Sequence, residues 1–168
     1  PDLGPRRRDG TLSIREINAR LEHFFAGAGA AIPRRNRELV RGAMLLWHDH
    51  LDASHEISQS IGTADGSFLH GIMHRREPDY WNAKYWFRRV GEHACFPALA
   101  RSAGAFLATE RQPALSARLA PRGHWDAFAF VDACEEAAQP SATEESRARL
   151  RAVQQIEFKI LLAHLCSG

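Results

Sequence analysis

Residues 34 to 58 read RRNRELVRGAMLLWHDHLDASHEIS, and their apolar side chains, Leu39, Val40, Ala43, Met44, Leu46, Trp47 and Leu51, recur at helical steps. That is the period of one face of an α-helix and not the alternation of a strand. Pro33 suits the start, so the spacing predicts one continuous helix from Arg34 to about Ser58. Upstream, Ser13 and Glu16 have the spacing of a capping box, and Ile14, Ile17, Leu21, Phe24 and Phe25 form a second helical stripe closed by Gly27 to Ala31. Downstream, Gly62 to Ser67 (GTADGS) reads as a loop, Phe68 to Arg76 as a short helix ended by Pro78, and Asp79 as the cap of a helix from Tyr80 to Val90 stopped by Gly91. Further helices are expected over Phe96 to Glu110, Pro113 to Leu119, Asp126 to Ala138 and Thr143 to Cys166, the last second in length only to the helix from Arg34.

No stretch alternates β-branched residues, so the fold class is all-α: an irregular bundle of six to eight helices. With 168 residues the chain has the size of one domain, expected over residues 13 to 168. Residues 1 to 12, rich in Pro, Gly and Arg, read as a flexible arm before it. Hydrophobic residues make up 45% and charged ones 25%, a balance that excludes a mostly disordered chain. A net charge of +2 gives no basic surface for nucleic acid. No apolar run approaches the roughly 20 residues of a membrane span, and the start lacks the apolar stretch of a signal peptide. Cys95, Cys134 and Cys166 form no CxxC or CxxH pattern, so reduced thiols in a cytoplasmic protein are expected.

Six of the nine histidines and both tyrosines fall between residues 48 and 93. Imidazole, carboxylate, guanidinium and aromatic groups crowded together are the makings of a pocket. On one continuous helix, His48, Asp52, His55 and Gln59 share a face at the border of the apolar seam. His70 and His74, in HGIMH, stand at i and i+4, which aims two imidazoles at one point and suits a divalent transition metal, with Glu77 able to add a carboxylate and His55 or Asp52 to complete the shell. The motif is not HExxH, so the general base of that class is missing. Asp52, Glu77 or His48 is left to act as acid or base. Arg75, Arg76, Arg88 and Arg89 offer forks for a carboxylate or phosphate, and Gln59, Asn82 and Tyr85 could line the same pocket. Internal ion pairs are the bland reading of the arginines, and core packing that of the aromatic helix.

The string HGIMHRREPDYWNAKYWFRRVGEH, with LWHDHLDASHEISQ, resembles a family of small uncharacterised proteins. The resemblance spans about the middle third of the chain and implies only that the two strings form one unit. His48 and Asp49 also resemble the dipeptide of the HD-type phosphohydrolases, for which His23 and Asp126 or Asp132 would have to supply the remaining ligands. DinB-like and ferritin-like bundles place histidines and acids on facing helices too, but the paired ExxH motifs of di-iron bundles are absent here. Three functions follow as expectations. The first is a metal-dependent hydrolase acting on a small anionic substrate, with His55, His70 and His74 holding the ion. The second is a metal-free binding module for a small anionic metabolite, and the third is a structural or partner-binding helical protein.

Overall fold

The computed structural model describes residues 1 to 167. Nine α-helices and one short 3-10 turn, Pro121–Gly123, account for the regular structure, with no strand among the described residues. The helices are α1 (Ile14–Ala26), α2 (Arg34–Trp47), α3 (Leu51–Gln59), α4 (Ala64–Arg76), α5 (Tyr80–Val90), α6 (Phe96–Thr109), α7 (Pro113–Leu119), α8 (Ala127–Ala138) and α9 (Glu144–Ser167). None of them is long and apolar enough to cross a membrane. The capping box at Ser13 and Glu16 forms as the sequence predicts, and Asp79 and Asp126 cap α5 and α8 through their side chains.

The bundle is built round α4. Every residue from Gly66 to Arg76 is buried, with α5, α3 and α2 packed against it. Two glycines make the close packing feasible. A Cβ on Gly66 would stand 2.1 Å from the Ile61 carbonyl oxygen, and one on Gly71 would stand 2.9 Å from the Phe87 ring. A helix buried on all sides is ordinarily apolar throughout. This one carries His70, His74, Arg75 and Arg76 into the interior, so each must find its partners inside the protein.

Three expectations need correction. The helix from Arg34 does not run to Ser58: it stops at Trp47, and α3 starts afresh at Leu51. Asp49 adopts the left-handed conformation, φ 65°. The Asp49 N–H donates to the Leu46 carbonyl at 3.1 Å and the His50 N–H to that of Leu45 at 3.0 Å, the paired bonds of a Schellman stop. The Asp49 carboxylate fixes the stop by accepting from Arg76 Nη2 at 2.7 Å and from Arg8 Nε at 2.8 Å. Because of this break α9, with 24 residues, is the longest helix, and the helices number nine rather than six to eight. Second, Gly62 to Ser67 is only in part a loop, because Thr63 Oγ1 accepts from the Gly66 N–H at 3.1 Å and opens α4 at Ala64.

Third, residues 1 to 12 are docked and not a loose arm. Arg76 Nη2 donates to the Gly4 carbonyl at 3.2 Å, Gln154 Nε2 to that of Asp2 at 2.7 Å, and the Leu12 N–H to His48 Nδ1 at 3.2 Å. His50 Nε2 donates to the Leu12 carbonyl at 2.8 Å. The arm therefore supplies part of what the buried polar groups of α4 and of the α2–α3 break require.

Candidate metal centre

The demand for internal partners sorts the polar residues of α4. Arg75 grips Glu157 with both terminal nitrogens, Nη1 to Oε1 at 3.1 Å, gives Nη2 also to Gln154 Oε1 at 3.2 Å, and lies 4.2 Å over the Phe130 ring. Arg76 donates to the Leu46 carbonyl and shares Asp49 with Arg8. Both guanidinium groups are sealed in the interior, at 1% and 0% exposure, so neither is free to hold a substrate as the sequence reading had it. Their forks are spent on structure. His74 also has partners: Nδ1 lies 3.2 Å from Glu77 Oε2, and Asn82 Nδ2 lies 3.1 Å from Nε2.

His70 has none. It is 2% exposed, and both of its ring nitrogens are buried without a hydrogen bond. An imidazole always carries at least one N–H donor and, when neutral, one good acceptor, so leaving both nitrogens idle in the interior is costly. Burial first, then the neighbouring His74 and His55 rings, push its pKa down to about 3, so the ring is neutral. Burial lowers the pKa of His74 as well, against an opposing pull from Glu77.

His70 is surrounded by rings. His74 stacks on it with centroids 4.7 Å apart, His55 meets it edge-on at 4.8 Å, and Trp86 stacks on it at 3.9 Å. One nitrogen from each of His55, His70 and His74 lies within 4.8 Å of the others, so α3 and α4 bring together the three histidines that the spacing singles out. His55 is half-buried and forms the solvent side of the group. Glu77 has a second position of interest. It lines a cleft of about 380 Å³ with Pro5, Arg7, His50 and Asp52, so the cleft borders the imidazoles through the carboxylate that contacts His74.

The other expected residues fall into place unevenly. Asp52 is exposed on α3 one turn before His55, and Gln59 is exposed at that helix's end. His48 is not on their face: it caps α2 and accepts from Leu12, so the break removes it from the group. Asn82 touches His74, while Tyr85 is 39% exposed and packs edge-on against Trp86. Arg89 lies over Trp86, but Arg88 turns toward Phe128 on α8 and away from the histidines. The HD-type arrangement is also overturned. Asp49 is consumed by two arginines, His23 is exposed on α1, Asp126 caps α8 and Asp132 pairs with Lys84. Trp86 was not singled out in the sequence, although it follows Asn82 by four residues and so shares its face of α5. No family model matches this chain, and no curated protein and no solved structure matches it.

Proposed function

We propose that the protein binds a divalent transition metal through His55, His70 and His74 and uses it for hydrolysis of a small substrate. The observation that carries this reading is the pair of unpartnered ring nitrogens on the buried, neutral His70, which faces two further imidazoles. A metal is the partner that such a nitrogen accepts without a proton. Three protein ligands leave a fourth position for water, the pattern of catalytic rather than structural zinc sites. Bound there, the ion would lower the pKa of that water and supply the nucleophile.

The chain's own residues fit the remaining roles. Glu77, 3.2 Å from His74 Nδ1, would accept its N–H and leave Nε2 to an ion in exchange for the present contact with Asn82 Nδ2, which makes it a positioning residue in place of the general base expected from the sequence. Asp52, one turn from His55 and on the wall of the cleft, is the carboxylate left for proton transfer. With Arg75 and Arg76 buried, Arg7 in the cleft wall and Arg89 over Trp86 are the cations that an anionic substrate would meet. The free cysteines Cys95, Cys134 and Cys166 are in keeping with a reducing, cytoplasmic setting.

The test uses protein purified without a histidine tag, stripped with a chelator and reloaded with zinc, manganese, nickel or iron(II). The expected outcome is a rise in Tm with at least one ion, made smaller in His70→Ala, and metal-dependent hydrolysis of an activated ester, amide or phosphate ester, lost in that variant. No thermal shift with any of these ions contradicts the metal centre. A shift without turnover on any ester class contradicts the hydrolytic role.

A further inference from the structure

A second set of metal-ligating side chains gathers at the other end of α4. Asp65, in the first turn of that helix, accepts through Oδ1 from His93 Nε2 at 3.0 Å and from His164 Nε2 at 2.9 Å. Cys95 follows His93 by two residues in the linker between α5 and α6. One ligand atom from each of His93, Cys95 and His164 lies within 4.8 Å of the others. His93 and Cys95 are buried, while the His164 side chain is 37% exposed and leaves the group open to ions from solvent. The Cys95 thiol has one weak contact, 4.0 Å from the Ile160 carbonyl, and burial pushes its pKa up to about 12.

We propose that His93, Cys95 and His164 hold a zinc ion and that Asp65, which now accepts from both imidazoles, closes the site as the fourth ligand when their protons leave Nε2, fastening the start of α4 and the α5–α6 linker to the last turns of α9. The proposal is independent of the three-histidine centre. A carboxylate, a thiolate and two neutral imidazoles neutralise a divalent cation. The thiolate and imidazole donors select zinc over magnesium or calcium. Four protein ligands leave no open position, so the site is structural rather than catalytic.

Asp65 is already ionised, its pKa lowered first by the His93 hydrogen bond. Each imidazole moves its proton from Nε2 to Nδ1, and the Cys95 thiol loses its proton to solvent, so one proton leaves per zinc bound. For His93 the shift gives up the Cys95 N–H bond to Nδ1, a single contact at 3.2 Å, in exchange for direct ligation.

Cobalt(II) separates this site from the first one, because none of His55, His70 and His74 is a sulfur ligand. Titrating cobalt into the chelator-stripped full chain is expected to produce a thiolate-to-cobalt charge-transfer band in the near ultraviolet. The band should persist in His70→Ala and vanish in Cys95→Ser. His164→Ala, at the accessible end of α9, serves if the buried substitution fails to fold, and it should weaken the band's cobalt affinity more than tenfold. Absence of the band in wild-type protein at saturating cobalt would mean that two imidazoles hold Asp65 by hydrogen bonds and nothing more, which overturns the proposal. Persistence of the band in Cys95→Ser, or unchanged affinity in His164→Ala, overturns it equally.

Discussion

His70 shows how burial converts an ordinary side chain into a demand. On an exposed helix its two nitrogens would bond to water, but on α4 they face rings and have no partner. The same burial makes a prediction about acid. Unfolding returns the ring to its ordinary pKa of 6.5, whereas in the folded protein it is held down to about 3. Between those values the unfolded state binds a proton that the folded state refuses, so the stability of the metal-free protein falls as pH falls through that window. Urea titrations from pH 7 to about 3 should show a shallower loss in His70→Phe, which keeps a ring against Trp86 and cannot protonate. An identical slope in the two proteins would contradict the claim that His70 is held neutral. The HxxxH spacing made His70 and His74 legible from the sequence. Arg75 and Arg76 misled because nothing local reveals that α4 is buried on every side, and a mixed polar sequence ordinarily means an exposed face.

Among the elements, the α2–α3 break is the feature the sequence concealed. Apolar periodicity continues through it, from Val40 and Met44 to Leu51, and no glycine marks the stop. The left-handed residue is Asp49, fixed by partners 41 and 27 residues away in the chain, Arg8 and Arg76. A window of local sequence does not contain them. The break then decides the site, since it takes His48 out of the histidine face and lets α3 present His55 to α4. Asp49→Gly tests whether the ion pair or the backbone conformation matters more. Glycine relieves the left-handed strain, yet it leaves the buried Arg76 without its carboxylate, and the net loss should be about 3–5 kcal/mol. Equal stability to wild type by urea denaturation would refute the ion-pair account. Gly66→Ala should cost roughly 1–3 kcal/mol because its methyl group meets the Ile61 carbonyl, a backbone atom that cannot rotate aside.

Over the whole molecule, the all-α class and most helix limits were readable because hydrophobic period and capping residues act locally. The assembly round α4 was not, and neither was the group of Asp65, His93, Cys95 and His164, whose members sit on three elements far apart in the chain. The picture that results is a bundle whose central helix is polar inside, with paired arginines at its C-terminal end and imidazole clusters along its length. Metal binding to the native state alone should therefore stabilise the entire fold. Zinc at one hundred times its Kd adds about 2.7 kcal/mol, or roughly 5–10 °C in Tm for a chain of this size. The most direct test reads all nine imidazoles together: zinc is titrated into chelator-stripped, tag-free protein while the ring nitrogens are followed by long-range proton–nitrogen correlation NMR. One ring nitrogen in each of His55, His70 and His74 should move to the position of a metal-bound nitrogen as zinc saturates the protein. His70 nitrogens that stay unchanged at saturating zinc would contradict the metal centre.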